Sequence, residues 1–159
     1  MPPVNTEIAA RLEHIQSLAE VAKTALPLGM NAISISADGI PVIARPPQPA
    51  RLKFAIEGLL WHVAVSPEED GDCICQVWTE VGHVPYTAQA PDKRRDIMAI
   101  LRGTQGLTRA RFVVGESQKI LVLSETRVEG HVTADALVYE VVMLLQEARP
   151  FLRLFSHYL

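Results

Sequence analysis

The sequence predicts an α+β fold in which an antiparallel sheet packs with N-terminal, middle and long C-terminal helices. Two observations support this prediction. Apolar residues recur at helical spacing near both ends of the chain and once in its middle, whereas apolar and polar residues alternate between these stretches as in half-buried strands. The order of these patterns is helix, several strands, helix, two strands and a long helix, which is typical of an α+β sandwich.

The first helix is predicted over residues 5–26. Asn5 or Thr6 can cap its start, and Pro27 and Gly29 end it. Its apolar residues form one stripe of mostly small or aliphatic side chains, which suits packing on a flat surface. The stripe consists of Ile8, Leu12, Ile15, Ala19, Ala22 and Leu26.

Strands are predicted over about residues 31–86. The dipeptide Asp38-Gly39 marks a tight turn between two short extended runs, and Gly58 marks a bend or bulge between two longer ones. The segment "RPPQPA" at 45–50 is interpreted as a connection, because its three prolines supply no backbone N–H donors to a sheet.

A middle helix is predicted over residues 92–102, and a strand hairpin over residues 109–128. Pro91 or Asp92 begins the helix, and Gly103 suits its C-terminal cap. The hairpin strands are "TRARFVVG" and "KILVLSETRV", which the short turn "GESQ" joins.

The last helix is predicted over residues 133–157, with Thr133 as its N-cap. Two adjacent apolar lines make its apolar arc wide, so either both lines are buried in the core or one lies at an interface. Pro150 removes one backbone donor and is expected to kink the helix or to start a new one. The first line is Leu137, Val141, Leu144, Ala148, Phe151, Phe155 and Tyr158, and the second is Val138, Val142, Leu145 and Leu152.

Composition limits the function classes. The 159 residues fit a single domain, 1–159, and 48% hydrophobic content with 21% charge is normal for a globular protein. A net charge of −3 argues against nucleic-acid binding, which depends on a basic face. No apolar run reaches the ~18 residues that span a bilayer, so no membrane partner is expected. With two cysteines and no visible secretory signal, a reduced cytoplasmic setting is expected.

No specific catalytic or metal-binding motif is present, and no cofactor is expected. Cys73 and Cys75 lie on the same side of a predicted strand and could chelate a soft metal or form a strained disulfide, but the chain has no second cysteine pair. Buried structural cysteines are commoner. The alternative function is a small ligand-sensing or enzyme domain with a pocket between sheet and helix, using His62, His83 or the cysteine pair.

The segment "ARFVVGESQKILVLSETRVEGHVTADALVYEVVMLLQEARPFLRLF" resembles the YbjN and type III secretion chaperone-like superfamily. In that superfamily a strand hairpin leads through a turn of the type Gly-x-Val-Thr, here Gly130 to Thr133, into a long leucine-rich helix. The resemblance is closest over residues 110–155, and the preceding elements agree in order only. It implies a non-enzymatic α+β domain, often a homodimer, that binds another polypeptide along helix and sheet surfaces.

The predicted function is a non-enzymatic protein-binding or chaperone-like module, a homodimer that buries apolar segments of a partner polypeptide. Hydrophobic contact would supply affinity, and charged side chains such as Arg149 and Arg153 would set the register. A structural subunit whose apolar line is covered in a larger assembly is a further alternative. The predicted protein-binding residues are Val138, Val142, Leu145 and Leu152 of the last helix and Ile97, Met98 and Leu101 of the middle helix.

Overall fold

The computed structural model describes residues 18–22, 33–43 and 49–159. It contains a five-stranded antiparallel sheet, a separate two-stranded hairpin and helices, which confirms the predicted α+β class. Residues 18–22 are helical, and the remainder of the first predicted helix lies outside the described residues, as do residues 44–48 of the proline-rich connection. The elements are β1 Ile33–Ile35, β2 Pro41–Ile43, β3 Ala50–Ile56, β4 Leu59–Pro67, β5 Cys73–His83, α1 Pro91–Gly103, β6 Arg111–Val114, β7 Lys119–Val128 and α2 Ala134–Ser156.

Turn chemistry decides where the first strands reverse. Between β3 and β4 the chain turns on Glu57 and Gly58, whose φ angles are 54° and 76°. Two successive positive φ angles belong to the tight hairpin turns whose twist matches that of the flanking strands, and glycine adopts them without steric cost. The short hairpin of β1 and β2 reverses through a longer turn, in which Gly39 has a φ of 74° and its N–H donates a hydrogen bond to the Ser36 carbonyl.

The strand order in the main sheet is β3, β4, β5, β7, β6. All neighbouring strands are antiparallel. Helix α1 follows β5 in the chain, and β7 then pairs with β5 while the four-residue β6 becomes an edge strand. The sheet therefore has β3 and β6 as its two edges, and its three longest strands lie between them.

One face of the sheet, the inner face, packs against α2 and forms the main core. In β5 the buried residues alternate along the strand, as the sequence pattern predicts, because successive side chains point to opposite faces. Burying one large aliphatic or aromatic side chain contributes roughly 1.5–3 kcal/mol. The main core includes Leu18, Phe54, Trp61, Val63, Val77, Val122, Leu137, Val141 and Leu144.

A second, smaller core lies at the C-terminal end of α2. There Phe155 is fully buried together with Ile97 of α1 and Ile120 of β7. The Phe112 ring lies 5.9 Å from the Phe151 ring and 5.6 Å from the Phe155 ring, in tilted arrangements that aromatic pairs favour. These contacts hold α1 against the end of α2 and the edge of the sheet.

Helix α2 begins as the sequence predicts, and its end at Ser156 lies within one residue of the predicted end. The Thr133 hydroxyl accepts a hydrogen bond from the Ala136 N–H at 3.1 Å, which confirms the predicted N-cap. The helix then runs through Pro150 without a break, so the proline does not start a new helix. Pro150 has no N–H to donate to the carbonyl of Gln146, four residues earlier. Both residues are exposed, so water can hydrogen-bond to that carbonyl instead. Among the described residues, no helix is both long and apolar enough to cross a bilayer.

Candidate functional site

Three of the seven predicted protein-binding residues are part of the core. Leu145 is 5% exposed, Leu152 is 8% exposed, and Ile97 is fully buried. Leu145 and Leu152 of the second apolar line therefore lie in the core, so burial of both lines, one of the two arrangements that the sequence left open, applies at these positions. Side chains from the two lines pack into one core together with the inner face of the sheet and with Leu18 and Ala22 of the N-terminal helix.

The other four predicted residues are half-buried and lie in two separate places. Val138 packs against the main core, whereas Met98 and Leu101 pack against the second core beside Phe155. Val138 and Phe155 are about 25 Å apart along the helix, at 1.5 Å per residue. The fourth residue, Val142, is half-buried one turn beyond Val138. The seven residues thus do not form one continuous surface, and their role in binding stays a prediction.

The exposed apolar surface of α2 lies on the side opposite its buried residues. Tyr139 is 56% exposed and Leu154 is 45% exposed, while Met143 is half-buried and Pro150 is exposed. Their spacings of four, seven and four place the four side chains along one face of a helix. We call Tyr139, Met143, Pro150 and Leu154 the α2 outer stripe. The sequence analysis missed this stripe although its spacing is visible in the sequence, because the two stronger apolar lines dominate the helix.

A loop fixed to α2 flanks this stripe. The Glu147 carboxylate accepts hydrogen bonds from the backbone N–H groups of Arg109, at 2.7 Å, and Ala110, at 2.9 Å, and from the Thr108 hydroxyl. The Thr108 hydroxyl and these N–H groups lower the pKa of Glu147 to about 2, because they stabilise the charged form. The loop before β6 is therefore tied to the helix by an ionised carboxylate.

Arg109 connects the same loop to the first turns of α2. Its guanidinium pairs with Glu140 at 2.5 Å and lies 5.8 Å from the centre of the Tyr139 ring. Glu140 also accepts a hydrogen bond from the Thr126 hydroxyl at 3.0 Å. A cation above an aromatic face restrains the ring, so Tyr139 is held in position at the end of the outer stripe although it is exposed.

The face of the sheet that points away from α2, the outer face, carries mostly exposed and half-buried side chains within the described part of the chain. A single row of paired residues crosses all five strands on this face, because each member is the registered partner of the next. The rings of His62 and Trp78 stack in the middle of this row, with 5.4 Å between centroids and 15° between planes. We call it the outer row, and it consists of Lys53, His62, Trp78, Leu123 and Arg111.

Two shallow cavities lie on either side of Trp78 on this face. One, of about 460 Å³, is lined by Arg51, Lys53, His62 and Trp78 together with Leu52 and Val63. The other, of about 220 Å³, is lined mainly by Trp78, Leu121, Leu123 and Glu125. Trp78 therefore forms a ridge between a cavity bordered by cations and a more apolar cavity.

The residues suggested for the alternative, enzyme-like function do not converge. Cys73 and Cys75 are free thiols buried on the inner face, whereas His62 lies on the outer face and His83 is exposed beside Glu80. Burial raises the pKa of the Cys75 thiol to about 12, which suppresses the thiolate. Within the described part of the chain, no three His, Cys, Asp or Glu side chains are grouped so as to hold a metal ion.

A further cavity, of about 490 Å³, lies between the loop before β6 and the adjoining part of β7. None of the four residues suggested for catalysis or ligand sensing lines it. Its lining consists of Thr104, Gln105, Leu107, Thr108, Arg109, Ala110, Arg111, Phe112, Leu123, Ser124 and Glu125.

The similarity of this chain to known proteins lies in its structure. No family model matches this sequence, and no curated protein matches it. The chain is similar in structure to the Yersinia pestis type III secretion chaperone SycH, which was solved in complex with a stable fragment of YscM2. The similarity covers 86% of this chain and 98% of the SycH chain, with 17% sequence identity and a TM-score of 0.35.

Proposed function

We propose that this protein is a non-enzymatic, chaperone-like protein-binding module that is dimeric and buries apolar segments of a partner polypeptide. The observation that supports the proposal is the two-sided apolar character of α2. Its inner side lies in the core, while Tyr139, Met143 and Leu154 of the outer stripe place apolar surface on the other side. Leaving large apolar side chains in water along one face of a helix is unfavourable and promotes association, so we take this face as the interaction site.

The residue types of the outer stripe suit this role. Tyrosine and methionine are enriched in the centres of protein interfaces, because they offer a large contact area and, in methionine, an adaptable shape. The charged pair of Arg109 and Glu140 lies beside Tyr139 and provides a polar rim. We expect the half-buried Val138, Val142, Met98 and Leu101 to extend the contact where a partner reaches around the helices.

The module needs no catalytic group for this function. It would bind an apolar segment by contact alone and release it by exchange, which agrees with cysteines that are buried as free thiols. Arg149 has a structural role instead, because its Nε donates to Glu57 at 2.6 Å and ties α2 to the turn between β3 and β4.

The experiment compares three proteins in two assays. Light scattering during size-exclusion chromatography gives the mass in solution, and turbidity measures how far each protein suppresses the aggregation of reduced, denatured lysozyme. We expect the parent protein to be dimeric and to suppress aggregation. The double variant Tyr139→Asp with Leu154→Asp should lose most of the suppression, whereas Lys93→Asp, an exposed change on α1 that alters the net charge by the same amount, should keep it. A monomeric parent protein that leaves lysozyme aggregation unchanged contradicts the proposal.

A further inference from the structure

The outer face of the sheet has the composition of a recognition surface. The outer row places an aromatic and apolar centre, formed by His62, Trp78 and Leu123, between a lysine on one edge strand and an arginine on the other. Four inter-strand spacings of about 4.8 Å separate the strands of Lys53 and Arg111, so these strands are about 19 Å apart. A flat surface of this kind extends the full width of the sheet.

Some charged side chains on this face have partners among the described residues, whereas three exposed cations near its edges do not. Glu125 accepts a hydrogen bond from the Gln76 side chain at 2.7 Å, and Glu80 pairs with Lys119 at 3.0 Å. In the part of the chain that the structure describes, by contrast, Arg51, Lys53 and Arg111 are exposed and form no ion pair or side-chain hydrogen bond. The charge available for a ligand on this face is therefore positive at both of its edges.

We propose that the outer face binds an acidic segment of a partner polypeptide that crosses the strands. Carboxylates near one end of the segment would meet Lys53 and Arg51, and carboxylates near the other end would meet Arg111. Apolar side chains in its middle would lie on Trp78 and fill the two cavities beside the indole ring. About six residues of extended chain span the 19 Å between the edge strands, at roughly 3.3 Å per residue.

A polypeptide suits this face better than a nucleic acid. The chain has a net charge of −3, and Glu80 and Glu125 lie on the same face among the apolar residues. A continuous phosphate backbone would pass close to these carboxylates, whereas a peptide can place its carboxylates only at the ends. The two cations at the edges match two separate acidic groups rather than a continuous line of charge.

The proposal deepens the proposed protein-binding function and rests on it, but it uses a different surface. The outer stripe of α2 lies on the helix layer, and the outer row lies on the far side of the sheet. The two surfaces can therefore be tested separately, because changes at Tyr139 and Leu154 leave Lys53 and Arg111 untouched.

The experiment titrates the full chain with the peptide acetyl-Glu-Asp-Leu-Val-Leu-Asp-Glu-amide and follows tryptophan emission. The chain has two tryptophans, and Trp61 is fully buried. Changes in emission when the peptide binds therefore report on Trp78. We expect a shift of the emission to shorter wavelength and weaker quenching by acrylamide. Reversing both edge charges, with Lys53→Glu and Arg111→Glu, should weaken the Kd by about tenfold or more. Lys93→Glu, an exposed change on α1, should leave the Kd within about twofold of the parent value.

Three results would overturn the proposal. They are equal binding of the same peptide with lysine in place of each acidic residue, tighter binding of single-stranded oligothymidine than of the peptide, and an unchanged Kd in the charge-reversed variant. Circular dichroism checks that this variant is folded, and the pair Lys53→Gln with Arg111→Gln replaces it if it is not. Peptide binding without suppression of lysozyme aggregation would support this inference and contradict the chaperone-like function. Suppression of aggregation without peptide binding would support the chaperone-like function and contradict this inference.

Discussion

Glu147 of α2 accepts a 2.7 Å hydrogen bond from the backbone N–H of Arg109, although the two residues are 38 positions apart in the chain. This contact joins the C-terminal helix to the loop that leads into the edge strand β6. It also keeps the guanidinium of Arg109 close to Glu140 and Tyr139, at the beginning of the outer stripe. The stability of the helix layer and the shape of the candidate binding surface therefore depend on the same carboxylate.

Glu147→Gln is expected to lower the free energy of unfolding at pH 7 by about 2 kcal/mol, because hydrogen bonds to a charged acceptor are replaced by bonds to a neutral one. The pKa of Glu147 is about 2 in the folded protein, whereas its ordinary value, which applies to the unfolded chain, is 4.5. The stabilisation is thus complete above pH 4.5 and is lost as the pH falls towards 2. Urea unfolding of both proteins at pH 7, 4 and 3 measures this, and a difference that stays constant with pH would contradict it.

Leu145→Ala and Leu154→Ala separate the two sides of α2. Leu145 lies in the core, so its truncation should cost about 2–5 kcal/mol of unfolding free energy. Leu154 is 45% exposed, so the same truncation should cost about 0.5 kcal/mol or less. Chemical denaturation followed by circular dichroism gives both values. Equal costs would mean that the helix is rotated relative to the arrangement described.

Pro150→Ala is expected to stabilise the protein by about 1–3 kcal/mol. Alanine restores a backbone N–H that can donate to the Gln146 carbonyl, and a proline inside a helix costs about 3 kcal/mol relative to alanine. The position is exposed, so the smaller side chain leaves no cavity in the core. Thermal unfolding provides the measurement, with Gln146→Ala as the control for helix propensity alone. A lower melting temperature for Pro150→Ala would show that the proline stabilises a bend that the fold requires.

The two thiols should be almost unreactive in the folded protein. Both Cys73 and Cys75 are buried, and burial raises the pKa of Cys75 to about 12. At pH 8 an aromatic disulfide reagent should therefore react slowly with the native chain and rapidly with both cysteines in guanidinium chloride. Absorbance of the released thiolate follows the reaction. Fast reaction of either cysteine in the native state would contradict this prediction and would support a redox or metal-binding role for the two thiols.

Several local features of the fold could be predicted from the sequence because their causes are local. Thr133 caps the helix it precedes, Gly58 provides a turn, and the alternation in β5 assigns Cys73 and Cys75 to the buried face. Each of these depends on residues a few positions apart. The middle helix ends at Gly103, but the predicted cap is wrong, because Gly103 keeps a helical backbone with a φ of −63° and Thr104 is the C-cap.

The side of α2 that faces the core was not predictable in this way. The helix carries three apolar lines, and the pattern alone does not say how many of them the sheet can cover. In the structure Leu145 and Leu152 are buried, whereas Tyr139 and Leu154 are exposed. The sequence left the burial of these positions open, because burial depends on where the neighbouring elements pack, which is a tertiary property.

By itself, the sequence determined the α+β class, the kinds of elements and the positions of their turns and caps, since backbone preferences and hydrophobic periodicity act over a few residues. Only the tertiary structure decided that β7 lies between β5 and β6 and that Lys53, His62, Trp78, Leu123 and Arg111 share one row. Strand pairing brings together residues distant in the chain, and its register is chosen by the packing of the whole inner face.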